Sequence, residues 1–172
     1  DGFDKLRRGV ERLRDIGIPI RELLKVDRVC SANLDGNIVI AGKPDILGLT
    51  DDDEIVLLDA KTSKPSDKTL WRNQQQLEAY RTAIENPKIG DARQVGFMGL
   101  VVFEPRTAKG NSESMALVGA LSFMRMEPDR SAFERLIERT ADGLRSPQMP
   151  EAGRFCEACA WYAQVRAYEV EP

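Results

Sequence analysis

The chain has 172 residues, of which 42% are hydrophobic and 31% charged, and its formal net charge is −3. This length suffices for one domain with a real core, so we predict a single domain over residues 1–172. The negative net charge excludes a protein that coats nucleic acid through bulk positive charge. The chain has no histidine, which excludes histidine-based acid–base chemistry and histidine metal ligation.

Membrane segments and disulfide scaffolds are also excluded by composition. No apolar run approaches the roughly 20 residues that a membrane helix needs. Three cysteines are too few and too unevenly placed for a disulfide framework. We therefore expect an intracellular, cytoplasmic protein in a reducing compartment, with no membrane partner.

The first third of the chain predicts one helix followed by three strands. Apolar residues recur at helical spacing at Phe3, Leu6, Val10, Leu13 and Ile16. Gly17 ends that helix, and strands are predicted over residues 26–34, 38–49 and 55–62. Short turns join these strands, at Asp35-Gly36 and at an acidic tip over residues 51–53. An antiparallel meander is therefore expected.

The remainder predicts helix, strand, strand, helix and an irregular tail. The first of these helices covers residues 68–85 and stops at Asn86-Pro87, and strands follow over 95–104 and 115–126. Pro128 opens a helix that runs to about residue 144. Residues 146–172 are predicted to form an irregular, cysteine-containing tail. Because a strand that follows a helix can lie parallel to an earlier one, we predict a mixed α/β sheet flanked by helices.

Two aspartates flank the acidic tip and form the first candidate site. If the hairpin is symmetric about Asp52, paired residue numbers sum to 104, and Asp45 lies opposite Asp59. Opposed residues in an antiparallel pair have Cβ atoms about 4.5–5.5 Å apart. Two carboxylates at that distance repel each other, and a divalent cation that binds oxygen, such as Mg²⁺, relieves the repulsion. The pattern therefore predicts a metal site.

Lys61 extends this site along the same strand. Side chains alternate between the two faces of a strand, so Asp59 and Lys61 share a face and Ala60 points to the other. Residues 55–58 are apolar on both faces, which favours an internal strand with Asp59 near its end. A lysine beside two carboxylates and a metal can orient water or stabilise phosphorane charge. The alternatives are a weak salt bridge on an exposed strand and simple turn chemistry.

The helix over residues 68–85 offers two faces of different character. Leu70, Leu77 and Ile84 repeat every seven residues and predict its core stripe. A second face carries Arg72, Gln76 and Tyr80, which suit contact with a phosphodiester backbone or with the active-site carboxylates, and the preceding loop carries Lys64. The alternative is a solvated helix face with a half-buried tyrosine.

Three motifs occur in order along this region. They are Gly42-Lys43-Pro44-Asp45, Asp59-Ala60-Lys61-Thr62 and Gln76-Leu77-Glu78-Ala79-Tyr80. Together they resemble the Gly-x-x-Asp, acidic-x-Lys and Gln-x-x-x-Tyr motifs of the RecB-type branch of the PD-(D/E)xK nucleases. The resemblance covers residues 38–84 and implies a restriction-endonuclease-like fold. It also implies DNA cleavage that depends on Mg²⁺ or Mn²⁺.

The resemblance implies a role for each matched residue. Asp45 and Asp59 would be metal ligands, with the backbone carbonyl of Ala60 as a third, and Lys61 would be the catalytic lysine. Gln76 and Tyr80 would support the site and contact DNA. The implied partners are DNA and a helicase or recombination subunit.

The chain departs from the family pattern at one expected metal ligand. Many members place a histidine or glutamate on an upstream helix, and this chain has no histidine. Glu11, Glu22 or a residue before Asp1 are the candidate substitutes. Glu11 could equally pair with Arg7 or Arg14 on its own helix.

The C-terminal cysteines are the second departure. Some relatives bind a [4Fe–4S] cluster through one N-terminal cysteine and a C-terminal Cys-x-x-Cys-x5-Cys. Cys156 and Cys159 match the start of that pattern, but Val165 occupies the next position. Cys30 lies in a predicted strand, where a small buried role is the simpler expectation. Because such a cluster needs four ligands, we interpret Cys156 and Cys159 as a remnant or partial site.

Three hypotheses about function follow. The leading one is a metal-dependent DNA exonuclease that uses metal-activated water in DNA repair, recombination, or phage- or CRISPR-related DNA processing. The alternative is a non-catalytic DNA-binding or scaffold module on the same fold. A small-molecule enzyme with a carboxylate-bound metal is the third. The Gln-x-x-x-Tyr helix speaks against it, as does the basic segment formed by Lys61, Lys64, Lys68, Arg72 and Arg81.

Overall fold

The computed structural model describes residues 2–34, 37–63, 66–110, 115–148, 151, 153 and 156–169. The helices are α1 (Gly2–Asp15), α2 (Asp67–Glu85), α3 (Arg130–Arg145) and α4 (Glu157–Glu169). The strands are β1 (Glu22–Leu23), β2 (Val29–Cys30), β3 (Ala41–Gly42), β4 (Ile46–Leu49), β5 (Ile55–Lys61), β6 (Val95–Gly110) and β7 (Met115–Arg125). Among the described helices, none is both long and apolar enough to cross a membrane.

Five strands form the main sheet in the order β1-β4-β5-β6-β7, and β2 and β3 form a small second sheet. β5 and β6 pair in parallel, and the other neighbouring strands pair antiparallel. The parallel pair follows from the chain order, because α2 lies between β5 and β6 and carries the chain back across the sheet. The predicted mixed α/β sheet flanked by helices is confirmed.

β5 is the buried centre of the sheet. Val56 and Leu58 are fully buried in a cluster that includes Leu13 of α1. Ile55 and Leu57 point to the other face, where Leu77 of α2 joins them. A strand that is apolar on both faces needs cover on both, so α1 and α2 pack on opposite faces of the sheet. This arrangement places Asp59 and Lys61 on the face that α2 covers.

The early strands are shorter and more divided than predicted. The predicted strand over 26–34 contains only β2, and the predicted strand over 38–49 is split into β3 and β4. Buried Pro44 lies at this break and has no backbone N–H with which to continue a ladder. The continuous meander was therefore wrong, since β2 and β3 pair with each other outside the main sheet.

β1 was missed because two residues give no alternation pattern. It pairs with β4, where Glu22 lies opposite Leu49. Gly48 allows this pairing, since a Cβ there would lie 2.6 Å from the backbone oxygen of Glu22. An edge strand this close depends on a glycine in its neighbour.

The second half of the chain follows the prediction closely, except in its tail. β6 continues to Gly110, six residues past the predicted end, and pairs along its length with β7. The tail was predicted to be irregular, but residues 157–169 form α4. Alanine supplies four of the 13 residues of this helix and has the highest helix propensity, a signal that the cysteine spacing obscured.

Candidate active site

The end of the β4–β5 hairpin brings Asp45 and Asp59 together. Observed pairs run from Ile46–Leu58 to Leu49–Ile55, so paired numbers sum to 104 as predicted. The next position in this register sets Asp45 opposite Asp59. The ladder stops at Ile46, and the Asp45 carboxylate takes its place by accepting a hydrogen bond of 2.9 Å from the backbone N–H of Ala60. This bond anchors Asp45 beside the end of β5.

Asp59 is a buried carboxylate with two side-chain partners. Only 3% of the residue is exposed. Gln76 on α2 donates from Nε2 to Asp59 Oδ1 at 3.0 Å, and Lys61 Nζ lies 2.5 Å from Asp59 Oδ2. The ion pair with Lys61 is also a hydrogen bond, so a side chain of the site contacts each oxygen of Asp59. A carboxylate oxygen has a second lone pair, which can still bind an electropositive group.

The surroundings of Asp59 shift its pKa in opposite directions. Burial raises the pKa of Asp59 above its ordinary value, and the Lys61 ammonium lowers it. The facing carboxylate of Asp45 raises the pKa of Asp59 again, since two negative charges repel at short range. Additional positive charge at this point would stabilise both carboxylates.

The donor set fits a small hard cation. Two carboxylates meet there, and Asp59 is almost fully buried. Mg²⁺ and Mn²⁺ prefer such oxygen donors. Asp45 and Asp59 are the residues that would hold the ion, and the carbonyl of Ala60 remains a predicted third ligand. Within the described ranges, no third histidine, cysteine, aspartate or glutamate completes a metal-binding group with them.

α2 supplies the second layer of the site. The predicted core stripe is confirmed, since Leu77 and Ile84 are buried and Leu70 packs against the same cluster. This orientation turns Gln76 and Tyr80 toward β5, and Gln76 Nε2 lies 3.4 Å from the Tyr80 hydroxyl. The Gln-x-x-x-Tyr spacing therefore places both groups one turn apart beside Asp59.

The first motif contacts the third through its glycine. A Cβ on Gly42 would lie 2.6 Å from Cε1 of Tyr80, so the bare backbone of β3 lies directly against the tyrosine ring. All three motifs thus meet at one point, although they are separated along the chain. Sequence reasoning assigned no task to Gly42, and only its place in the motif pointed to it.

Two of the predicted DNA-contacting residues lie outside this cluster. Arg72 is exposed one turn before Gln76 and stacks over Trp71, with its guanidinium carbon 5.8 Å from the ring centroid. Lys64 lies outside the described residues. The roles of Arg72 and Lys64 in DNA binding remain predictions.

The two candidate upstream ligands do not reach the site. Glu22 lies opposite Leu49, four positions from Asp45 along β4, which is about 13 Å at the rise of a strand. Its carboxylate lies 3.4 Å from the guanidinium of Arg21. Glu11 is exposed on α1, which covers the opposite face of the sheet from Asp59. Neither glutamate therefore substitutes for the family's upstream ligand in this structure.

The cysteines form a pair rather than a larger cluster. Cys156 and Cys159 are joined as a disulfide at the start of α4, and the backbone N–H of Cys159 also donates to Cys156 Sγ. Cys30 lies in β2 and donates from its thiol to the carbonyl of Ser31. No metal-binding group of three cysteine or acidic side chains includes them in the described part of the chain.

A buried glutamate, Glu78, holds α2 in position. It was not singled out from the sequence. Glu78 is 1% exposed and accepts a hydrogen bond of 2.7 Å from the backbone N–H of Asp129, just before α3. Arg81 lies 3.8 Å from Glu78 and also binds Glu85, which in turn pairs with Arg130. These bonds fix the rotation of α2 and so the direction of Gln76. The sequence signal for Glu78 was its place between two apolar residues of the third motif, Leu77 and Ala79.

Comparisons with known proteins relate the chain to one solved structure and to one superfamily. A solved structure, the crystal structure of SSO0001, is similar to 93% of this chain, with a TM-score of 0.44 and 19% sequence identity. This chain spans 66% of the length of that one. No curated protein sequence matches the chain. The profile of the PD-(D/E)XK nuclease superfamily matches residues 4–164, and the chain therefore belongs to that superfamily.

Proposed function

We propose that this domain is a deoxyribonuclease that depends on Mg²⁺ or Mn²⁺ and hydrolyses phosphodiester bonds from a DNA end, as in the RecB-type branch. The observation that carries the proposal is the environment of Asp59. It is a buried carboxylate held by Gln76 and Lys61, with the carboxylate of Asp45 facing it. Membership of the nuclease superfamily supports the same chemistry.

Each residue of the cluster has a distinct task in this proposal. A bound divalent cation would supply an activated water and would neutralise charge on the phosphate. Asp45 and Asp59 hold the cation, and the N–H of Ala60 keeps Asp45 in place. Gln76 fixes the rotamer of Asp59, and Lys61 presents its ammonium to the attacking water and to the developing charge on phosphorus.

The proposed setting is DNA repair, recombination, or phage- or CRISPR-related DNA processing in the cytoplasm. A helicase or recombination subunit is the proposed protein partner, since an enzyme that degrades from an end benefits from a partner that opens the duplex. The resemblance of the three motifs to the RecB-type branch supports this setting.

The test compares cleavage of linear and closed circular DNA by the full chain with Mn²⁺ or with EDTA. We expect linear DNA to be degraded only with Mn²⁺, and closed circles to survive. Asp59→Ala should abolish degradation. Asp52→Ala is the matched control, because it removes an exposed aspartate from the tip of the same hairpin. Equal degradation by wild type and Asp59→Ala contradicts the proposal, and cleavage of circles contradicts the exonuclease assignment.

A non-catalytic DNA-binding module is the second candidate function. The observation that favours it is the donor count, because Glu22 lies opposite Leu49, about 13 Å along the strand from Asp45, and no third acidic ligand joins Asp45 and Asp59 among the described residues. Calorimetric titration separates the two candidates. Tight DNA binding together with no heat of Mn²⁺ binding supports the module, and Mn²⁺ binding that Asp59→Ala abolishes supports the nuclease.

A further inference from the structure

A groove between α2 and α3 carries an exposed tryptophan beside two arginines. It has a volume of about 230 Å³. Its lining residues are Trp71, Gln75, Ala132, Arg135, Leu136 and Arg139, and we call it the Trp71 groove. Trp71 is 54% exposed, although tryptophan is a residue that proteins largely bury. An aromatic ring held open at a groove is suited to stacking on a planar ligand.

The charge of the groove is positive on a net negative chain. Arg135 and Arg139 are one turn apart on α3 and are exposed. Neither arginine is paired with a carboxylate in the part of the chain that the structure describes. The guanidinium carbon of Arg72 lies over the Trp71 ring, 5.8 Å from the ring centroid. Three cations around one aromatic ring favour an anionic ligand with planar groups.

Gln75 gives the groove a hydrogen-bond acceptor. Its Oε1 atom is buried and has no partner among the described residues, although Gln75 lines the groove. A phosphate diester offers only acceptors, so it cannot satisfy a carbonyl oxygen. The N–H groups of a nucleobase can. The groove therefore suits a base together with its phosphates, rather than phosphate alone.

The groove and the candidate active site lie on different faces of α2. Trp71 and Gln76 are five positions apart, which is about 7.5 Å along the helix axis and roughly 140° around it. Arg72 lies between them, roughly 100° around the axis from Trp71 and roughly 40° from Gln76. A strand that reaches both sites therefore crosses the surface of α2 past Arg72.

We propose that the Trp71 groove binds a base of single-stranded DNA, across α2 from the candidate active site. The base stacks on Trp71 and donates to Gln75 Oε1, and Arg135 and Arg139 contact the flanking phosphates. The bases of a duplex are already stacked and paired, so they cannot reach Trp71 without unpairing. This inference rests on the proposed nuclease function and names its substrate class as single-stranded DNA.

Tryptophan fluorescence tests the proposal directly. The chain has two tryptophans, so Trp161→Phe leaves Trp71 as the sole emitter. We expect a 12-nucleotide single strand, titrated in EDTA to prevent cleavage, to quench Trp71, and a blunt duplex of the same sequence to quench it far less. Binding of this oligonucleotide without any change in Trp71 emission overturns the proposal, as does equal quenching by the duplex.

Affinities of variants supply the second readout. Loss of one stacked base should weaken single-strand binding roughly 5- to 150-fold in Trp71→Ala, with partial recovery in Trp71→Phe. Trp161→Ala is the control, because it removes the other exposed tryptophan and should leave affinity unchanged. Arg135→Gln with Arg139→Gln should lower the salt slope of binding by about 1.4. Unchanged affinity in Trp71→Ala overturns the proposal.

The two proposals fail in different ways. If wild type cleaves DNA but Trp71→Ala binds and cleaves single strands equally well, the groove proposal is wrong and the nuclease proposal stands. If no variant cleaves DNA but Trp71 controls single-strand affinity in EDTA, the groove proposal stands and the nuclease proposal is wrong.

Discussion

Gly42 of the first motif and Tyr80 of the third are in direct contact, and the contact exists because Gly42 has no side chain. A Cβ at this position would lie 2.6 Å from Tyr80 Cε1, well inside van der Waals distance. The glycine therefore sets how closely β3 approaches α2. Since Tyr80 also lies 3.4 Å from Gln76 Nε2, this contact bears on the group that orients Asp59.

Gly42→Ala should damage both stability and activity. The added methyl group must displace the Tyr80 ring, and overpacking of this kind costs about 1–3 kcal/mol. We expect a lower free energy of unfolding in urea and a slower Mn²⁺-dependent degradation of linear DNA. Gly143→Ala is the control, because a Cβ at Gly143 meets nothing within 4 Å. That helix substitution should raise stability by roughly 0.5–1 kcal/mol and leave degradation unchanged. Wild-type behaviour of Gly42→Ala would contradict the close contact.

Gln76→Ala should lower activity without unfolding the protein. The substitution removes the 3.0 Å hydrogen bond to Asp59 Oδ1 and frees the carboxylate to rotate. Loss of a group that orients a metal ligand typically costs about 10- to 100-fold in metal affinity or activity. Degradation rates over a range of Mn²⁺ concentrations measure this effect. Gln74→Ala is the control, since Gln74 donates to the carbonyl of Glu127 away from the site. Equal losses in both variants would show that the hydrogen bond to Asp59 has no special role.

Lys61 and Asp59 should behave as a coupled pair. Lys61→Met leaves the buried charge of Asp59 without its ion-pair partner. Because the Lys61 side chain is only 29% exposed, we expect the free energy of unfolding to fall by roughly 1–3 kcal/mol. Activity should fall by about 10²–10³ or more, as for removal of a group that stabilises transition-state charge. Adding Asp59→Asn should restore stability but not activity. Urea unfolding and cleavage rates of the single and double variants give the coupling energy. Additive effects on stability would contradict the pairing.

The pH dependence of stability should report on Glu78. Burial raises its pKa above the ordinary value of 4.5, and the N–H of Asp129 and the charge of Arg81 lower it only in part. A carboxyl whose pKa is higher in the folded state stabilises the fold most at low pH. That contribution is complete below the unfolded value and is lost as the pH rises through the folded value.

Glu78→Gln removes this titration while keeping an acceptor for the Asp129 N–H. The melting temperature of the variant, relative to wild type, should therefore increase as the pH rises from about 4 to 8. Thermal unfolding followed by circular dichroism at several pH values measures the difference. Glu138→Gln, an exposed change on α3, serves as the control. A difference that stays constant with pH would show that Glu78 has the same pKa in both states.

Nearby residues in the sequence were enough to predict β5, the strand that carries Asp59 and Lys61. Residues 55–58 are apolar on both faces, which identified an internal strand, and the acidic tip at Asp52 fixed the register that pairs Asp45 with Asp59. Side-chain alternation then put Lys61 on the same face as Asp59. These features depend on neighbours within about 15 residues, so the sequence contains the whole argument.

The shorter elements were predicted less well for the same reason. β1 has only two residues, and its pairing depends on Gly48 more than 20 positions later. Its register sets Glu22 opposite Leu49, far from Asp45, which no local pattern indicates. α4 was hidden because a Cys-x-x-Cys spacing suggested ligands rather than the first turn of a helix.

The sequence by itself determined the three motifs, the β4–β5 register and the shared face of Asp59 and Lys61, because strand geometry and a short hairpin leave few alternatives. Only the tertiary structure decided which groups complete the site. Gln76 meets Asp59 because Leu77 is buried under α2 and the Glu78 bonds fix the rotation of that helix. Gly42 meets Tyr80, and Trp71 lines a groove with Arg135, for the same physical reason. Contacts between distant segments are set by how helices pack on the sheet, and packing is a property of the whole chain.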